Sequence, residues 1–578
     1  MILPELTNYV AAAFEKCGYD PALGVVLKSD RPDLCHFQCN GSFDGAKKYK
    51  KAPFLIAKDV AAVLEKNPVF TKVEVAMPGF VNLTVTDEYI LQKARELVGD
   101  KHGGIPQHEE TIVLDYGGPN VAKPLHIGHL RAAIIGESLK RIARATGRKV
   151  IGDVHLGDWG LQIGLVIAEL EVRNPKWRCF AEDFDPKIDK VTTLNVNDLN
   201  EIYPFASKKS KEDEVFKVRA KDITGNLQGG HEGYLALWRE IMRVSVEDLK
   251  ANYSKLNVDF DLWYGESDAE KDVPELLEIL GNQDLMYESD GAMIVDVAKE
   301  EDKAPVPPII IKKSDNSNMY STTDLATIIQ RQRDFAPDRV WYVVDKRQEL
   351  HFTQVFRCAK KANLTAAELE HLGFGTMNGS DGKPYKTRDG GVMRLSDFLE
   401  TIISAAQEKM SESGFVSGDD KENIAQRVAV AAIKFGDLSN HRLRDYIFDI
   451  DKFLAFEGKT GTYLVYTVSR INSILKKLGN NITPAFQKIY TDIEREILLN
   501  IILTGEVFNR AVNERAPNYI CDNAYKLATL FSSFYHDNHI GKEQDEDKKD
   551  AWLSLCVLVR DMLCRQLDVL GIETVEHM

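Results

Sequence analysis

D-Y-G-G-P-N-V-A-K-P-L-H-I-G-H-L-R, residues 115–131, is the stretch from which the fold can be read. The apolar run T-I-V-L-D-Y at 111–116 predicts a strand ending at Asp115. Gly117, Gly118 and Pro119 then predict a tight turn with exposed backbone, and a helix starts near His126–Gly128. In a doubly wound sheet, ligands bind beyond the carboxyl ends of the strands, and a helix N-terminus favours anions. A phosphate-bearing ligand is therefore expected at this turn. His126 and His129 stand three apart and share a helical face, and Gly128 leaves room for a flat group to approach. On its own, H-x-x-H fits a metal site or two surface histidines equally well. The preceding strand and turn favour a nucleotide.

Working outward, strand-like runs recur at 149–154, 307–312 and 340–344, with helical stretches at 131–146 and 161–171 between them. Such alternation from about 110 to 400 implies a parallel sheet with crossover helices. Residues of about 175–230 are polar, with K-K-S-K-E-D-E at 208–214, and look like an insertion. Before this region, a helix near 6–14 and strand-like runs at 73–85 suggest a small α+β domain, closed by the linker K-H-G-G-I-P-Q-H at 101–108. Beyond about 400 the pattern becomes amphipathic helices, with G-K-E-Q-D-E-D-K-K-D at 541–550 as a solvated loop. The expected domains are 1–105, 106–450 with a helical stem after 400, and 451–578.

Composition sets bounds. At 578 residues, 44% hydrophobic and 28% charged, the chain is long enough for several cores and is neither a disordered nor a disulfide-scaffold protein. No run approaches roughly 18 apolar residues, so no membrane span is expected. The first residues lack a basic leader, and eight scattered cysteines suit a reducing cytoplasm. Cys35, His36 and Cys39 could seed a metal site, but no second pair follows at zinc spacing, so no zinc is expected. The net charge of −15 seems to disfavour a nucleic acid. Its distribution weakens that objection: residues 1–100 carry 12 basic and 13 acidic groups, residues 451–578 carry 15 and 18, and most of the deficit lies between them.

P-N-V-A-K-P-L-H-I-G-H, with G-D-W-G-L-Q-I-G at 157–164, resembles the signature of class I aminoacyl-tRNA synthetases in the arginyl family, and the likeness runs through nearly the whole chain. The resemblance implies a Rossmann-like catalytic domain, an N-terminal α+β domain and a helical anticodon-binding domain. It implies arginyl-adenylate formation from L-arginine and ATP, with Mg²⁺ on the phosphates, then transfer to the 2′-OH of the terminal adenosine of the tRNA for arginine. Many members need bound tRNA for the first step. A cytoplasmic monomer is expected.

The site residues follow from the same resemblance. His126, His129 and Gly128 would handle ATP. The loop G-S-D-G-K-P-Y-K-T-R-D-G-G at 379–391 is similar to the family's lysine loop, matching at Lys383 and Lys386, with Arg388 as a third cation. Such cations can stabilise charge as pyrophosphate departs. Arginine would be held by Asn120, Tyr320, Asp324 and Gln348, a carboxylate being the natural partner of a guanidinium. Asp324 could also act as a helix N-cap. Asp115, Lys123, Asp158 and Trp159 would give support, Trp159 either by packing under its turn or by shaping the pockets. For RNA, the candidates are Lys47, Lys48, Lys50 and Lys51 around Tyr49, and Tyr463, Tyr466, Arg470 and Tyr519 in the last domain. The helical aromatics among these could equally be core. No editing domain is evident. Rival readings are a sister synthetase, a small-molecule nucleotidyltransferase with the same turn, and a non-catalytic RNA-binding paralogue.

Overall fold

The computed structural model describes residues 1–314, 319–383, 385, 393–413, 420–479 and 484–577. The chain forms two compact units. One holds residues 108–462 with 569–573; the other holds residues 1–107, 463–568 and 574–578.

The first unit is built on a four-stranded parallel sheet. Its strands are β1 (Thr111–Tyr116), β2 (Lys149–Asp153), β3 (Arg339–Val343) and β4 (Glu368–His371), in the order β4-β3-β1-β2. Helices α1 (Leu130–Ala145), α2 (Leu161–Arg173), α3 (Val196–Glu212), α4 (Tyr320–Phe335) and α5 (Glu349–Lys361) belong to the same unit. Ile112, Val113 and Leu114 are fully buried, as a strand covered on both faces requires. The strand order reverses between β1 and β3. Their carboxyl ends therefore open the crevice in which a doubly wound sheet binds its ligand.

One expectation about strands needs correction. The apolar run at 307–312 does not join the parallel sheet: Ile309–Lys312 pairs antiparallel with Ala292–Val295, which pairs antiparallel with Met286–Ser289. Ile309 and Ile311 are buried while Ile310 is 38% exposed, the alternation of a strand covered on one face. An Ile-Ile-Ile run cannot distinguish these cases. Conversely, β4 (E-L-E-H) is too polar to stand out in the sequence, because it is an edge strand.

Buried charges tie α1 to the elements behind it. Arg131 pairs with Asp437 of the helix Lys421–Leu438 at 2.9 Å, both almost fully buried. Glu137 holds Lys140 at 2.9 Å, Arg141 at 2.6 Å and the Tyr116 hydroxyl at 2.9 Å. Lys434 is entirely buried and donates to the carbonyls of Asn257 (3.1 Å) and Gly571 (3.0 Å). Burial holds its ammonium down to about 7.

In the second unit, an antiparallel sheet (Val26–Lys28, Phe37–Cys39, Phe80–Val85, Phe70–Ala76) packs with helices Ile2–Lys16 and Pro53–Leu64. Five further helices run from Gly461 to Val569. Asp87 and Arg495 join the sheet domain to these helices through a two-point ion pair of 2.6 and 2.9 Å. The segment 541–550 is only partly loop: the last helix begins at Glu546, where Glu546 and Asp547 suit a helix N-terminus. Cys35 and Cys39 are buried with separate partners, Ser29 Oγ at 3.3 Å and the Leu23 carbonyl at 3.5 Å.

Candidate active site

The turn after β1 is a glycine conformation: Gly117 and Gly118 have φ of +96° and +46°, which residues with a Cβ rarely adopt. Two backbone pairings then gather the motif segments. Asn120 pairs with Gly157, with Val121 N–H donating to the Gly157 carbonyl at 3.0 Å. His126 pairs antiparallel with Arg394. Ile127 N–H donates to the Met393 carbonyl at 3.1 Å, and Leu395 N–H to that of Leu125 at 2.9 Å. The segment leaving the lysine loop thus runs beside the histidine turn.

The helix starts as expected, with a 3₁₀ turn over Ile127–His129 leading into α1. The His126 and His129 rings lie 4.0 Å apart, tilted by 36°. Gly128 N–H donates to His126 Nδ1 at 3.0 Å, which leaves Nε2 to carry the proton. His129 Nδ1 lies 3.2 Å from both the N–H and the carbonyl oxygen of His126. Burial, with Lys123 adding, holds His126 below the ordinary histidine range; burial, with His126 and Lys123 adding, pushes His129 down to about 3. Both rings are neutral at pH 7, so they meet a phosphate as hydrogen-bonding groups rather than as cations.

The acidic candidate is on α4. Asp324 is in the second turn of α4, whose N-cap is Met319, so the N-cap reading of Asp324 does not hold. Its Oδ2 lies 2.6 Å from His351 Nε2, and the Tyr320 ring lies 4.8 Å from that histidine. Tyr320 is 57% exposed, and Gln348 is exposed at the end of the short 3₁₀ turn after β3. Sequence reasoning missed Glu266, which begins the helix Glu266–Ala269. Burial, with Asp324 and Asp158 adding and His155 opposing, pushes its carboxyl up to about 7. No local pattern marks Glu266; only the fold sets it within electrostatic reach of Asp324.

The supporting residues divide by role. Asp158 is fully buried and accepts from the Ser267 N–H (3.0 Å) and hydroxyl (2.6 Å). Trp238 Nε1 donates to the Asp158 carbonyl at 3.0 Å and faces Trp159 edge-on at 5.3 Å. These contacts pin the 157–160 loop. Asp115 is committed elsewhere: Arg331 Nη2 lies 2.7 Å from both Asp115 and Asp153. Among the described residues, Asp115, Asp153 and His155 form the one group with metal-ligand spacing, and the guanidinium already bridges its two carboxylates.

Lys383 is exposed on a tight turn in which Gly379 N–H donates to the Lys383 carbonyl at 2.8 Å. Lys386 and Arg388 lie outside the described residues. Beside His126 is a cavity of about 450 Å³, lined by Lys123, Tyr203, Lys208, Lys211 and Arg394. Lys208 and Lys211 come from α3, in the stretch that reads as a polar insertion.

The RNA candidates are in the second unit. Lys47 pairs with Asp44 at 3.0 Å, Lys48 with Asp20 at 2.7 Å and Lys51 with Asp59 at 2.5 Å; Lys50 ends its helix at φ +52°. Tyr463 is half-buried and shares a hydrogen bond with Ser532 at 2.8 Å. Tyr466 is also half-buried. Arg470 is exposed and stacks on Tyr535 at 4.7 Å beside a cavity of about 350 Å³. Tyr519 is stacked by Arg510 at 4.0 Å and donates to Glu514.

Comparison with known proteins gives concordant matches. The family model for the catalytic domain of class I tRNA synthetases (R) matches residues 92–450. The models of the arginyl tRNA synthetase N-terminal domain and the DALR anticodon-binding domain match residues 4–85 and 464–578. The chain is 48% identical to an arginine–tRNA ligase of Alkaliphilus oremlandii, covering 100% of both chains. It is 46% identical to one of Agathobacter rectalis, covering 99% of both. Its fold is similar to the arginyl-tRNA synthetases of Plasmodium falciparum (TM-score 0.83, 22% identity, 100% and 99% covered) and Thermus thermophilus (TM-score 0.82, 22% identity, 100% of both covered).

Proposed function

The chain belongs to the arginyl-tRNA synthetase family, and from that premise we infer how its residues carry the reaction. It activates arginine with ATP and joins it to tRNA. The arginine carboxylate is already a nucleophile, so the first step needs positioning and charge stabilisation rather than a general base. The carboxylate attacks the α-phosphorus, a P–O bond forms and pyrophosphate leaves. His126 and His129 donate to the phosphates from neutral rings. Gly128 keeps their approach open, because a Cβ there would press on the His126 ring at 2.8 Å. Lys383, Lys386 and Arg388 balance the charge growing on the leaving group. Mg²⁺ arrives on the ATP phosphates as part of the substrate.

Asp324 and Glu266 take the guanidinium between them. Tyr320 and Gln348 line its approach, and Asn120 holds the α-amino or carboxylate end. Asp115, Lys123, Asp158 and Trp159 support this arrangement from behind. The terminal 2′-OH of tRNA then attacks the acyl carbon and AMP leaves. Residues 1–105 and 451–578 serve as the RNA-contacting domains flanking a catalytic domain of 106–450, with Lys47, Lys48, Lys50, Lys51, Tyr463 and Arg470 as contacts. A cytoplasmic monomer completes the proposal; the free cysteines suit a reducing compartment.

The observation carrying this reading is the backbone pairing that sets the His126–His129 turn beside the segment leaving the lysine loop, with Asp324 held by His351 at 2.6 Å. A cation belongs at one end and a phosphate at the other. The test is ATP–pyrophosphate exchange with arginine, with and without tRNA. Arginine-dependent exchange is expected at least when tRNA is present; none in either case would sink the proposal.

A further inference from the structure

The second unit holds a cavity of about 260 Å³. The sheet domain contributes Lys28 and His36 to it, and helices Asp492–Ile502 and Asn518–Asp537 contribute Asn500 and Lys526. Asn500 is almost fully buried, and a relay of amides fixes its orientation. Gln566 Nε2 donates to the Met562 carbonyl at 3.2 Å, Asn523 Nδ2 to Gln566 Oε1 at 2.9 Å, and Asn500 Nδ2 to Asn523 Oδ1 at 3.1 Å. A carbonyl can only accept, so the relay runs in one direction. It ends on Asn500 Oδ1, a buried acceptor with no partner among the described residues. Buried polar atoms are nearly always paired, so this one is matched to a donor that comes from outside. His36 supplies the opposite polarity. Its Nδ1 accepts from the Val85 N–H at 3.3 Å, so Nε2 carries the proton. Burial, with Arg495 adding and Asp87 opposing, holds the ring below the ordinary histidine range and neutral at pH 7. Glu496, one turn before Asn500 on the same helix face, is a second acceptor. Pro32, Leu499 and Leu503 give apolar walls. Lys28 and Lys526 come from separate segments. Desolvation, with the like charge of Lys526 adding, holds Lys28 below the ordinary lysine range. Two ammoniums that repel across a cavity favour an anion between them. Asp492 does not fill that place, because Arg495 holds it at 2.5 Å.

We propose that this cavity binds one nucleotide, with Asn500 Oδ1, Glu496 and His36 Nε2 on the base edge and Lys28 and Lys526 on its phosphate. Acceptors outnumber donors on the base side, so bases with an exocyclic amino group are preferred over uracil. The His36 ring and the apolar walls suit a flat base lifted out of its stack. Two sources share this chemistry: a free mononucleotide, and an unstacked nucleotide of the tRNA. For the second source the inference rests on the synthetase reading, to which it adds a base-reading site.

The test uses the full-length protein. Equilibrium dialysis with CMP, GMP and UMP reads this cavity, because the synthetase reaction uses an adenine nucleotide. If the source is a free mononucleotide, CMP or GMP binds at least about tenfold more tightly than UMP, and Asn500→Leu removes the preference. If the source is tRNA, its KM rises about tenfold or more in Asn500→Leu and in Lys28→Ala/Lys526→Ala, with kcat within about twofold. The pair Lys28→Arg/Lys526→Arg then restores most of the loss. If Asn500→Leu does not fold, the exposed Glu496→Ala takes its place in both arms. An unchanged KM for tRNA overturns the proposal when the mononucleotides bind without that preference, or with one that survives Asn500→Leu. A KM that rises in only one of the two variants, or as much in the arginine pair as in the alanine pair, overturns it too. Wild-type protein that neither exchanges nor charges overturns the synthetase reading instead, while dialysis still reads the cavity.

Discussion

Asp324 is met by His351 at 2.6 Å and Asp158 by Ser267 at 2.6 and 3.0 Å, whereas Lys123, Lys208, Lys211 and Arg394 around the neighbouring cavity meet no carboxylate. The acidic end of the crevice is built from half-buried or buried groups held by internal hydrogen bonds. At the basic end Lys208, Lys211 and Arg394 are exposed and Lys123 is half-buried. The difference follows from desolvation. A buried carboxylate without partners costs several kcal/mol, so the pocket must be organised before its cation arrives. Exposed ammoniums remain hydrated and can wait for an anion. The acidic end should therefore govern affinity through precise geometry and be insensitive to salt, while the basic end should respond to charge and ionic strength.

The largest expected break in this contrast is Asp324→Asn. Removing one member of a close charge-assisted contact costs about 2–5 kcal/mol, so the KM for arginine should rise about thirtyfold or more while the KM for ATP stays put. Steady-state kinetics at two salt concentrations checks this; an unchanged arginine KM would remove Asp324 from the pocket.

A smaller effect is expected from pH. Glu266 is held up to about 7, so its negative charge is lost as the pH falls through that value, and the arginine KM should rise by up to about tenfold per pH unit below it. Glu266→Gln should flatten this profile. For stability the sign is opposite. The folded carboxyl binds its proton more tightly than the unfolded one, so its stabilising contribution is full below the ordinary glutamate range and fades as the pH rises through about 7. Arginine, which needs the charged form, should raise the melting temperature more at pH 8 than at pH 5.5, measured by thermal shift.

The smallest effect is expected at the N-terminal lysines. Lys48 and Lys51 already have carboxylate partners, and exposed pairs of this kind are worth about 0.2–1 kcal/mol. Lys51→Ala should change the KM for tRNA less than about fivefold, whereas Asp59→Ala, which releases Lys51, should lower it. A KM for tRNA that does not fall in Asp59→Ala would mean that the ion pair does not restrain Lys51.

Legibility followed sequence distance. The His126–His129 turn could be read because strand, glycine turn and helix start lie within 17 consecutive residues. The 157–160 loop was legible for the same reason. Glu266 was not, because its significance comes from Asp324, far along the chain. Lys208 and Lys211 read as part of a solvated stretch, since K-K-S-K-E-D-E has the composition of a surface loop whether or not it faces a cavity. Asp324 had two readings until the helix start at Tyr320 removed one. Ile309–Lys312 was placed in the wrong sheet because three isoleucines carry no information about which face is covered. The N-terminal lysines illustrate the reverse: clustering along the chain suggested free positive charge, yet Asp20, 28 residues away, pairs with Lys48, and Asp59 pairs with Lys51.

Read along the chain alone, much of the local order is settled: where the apolar strands and the longer amphipathic helices lie, which turn must be glycine, and which family the motifs resemble. These depend on backbone geometry and side chains a few residues apart, and such interactions are encoded in consecutive letters. The tertiary structure decided which charges meet. It set Glu266 within electrostatic reach of Asp324, placed Arg331 between Asp115 and Asp153, and gathered Lys208, Lys211, Lys123 and Arg394 around one cavity. Coulomb energy and desolvation depend on separation in space and on exposure to water, and neither is a property of position along the chain.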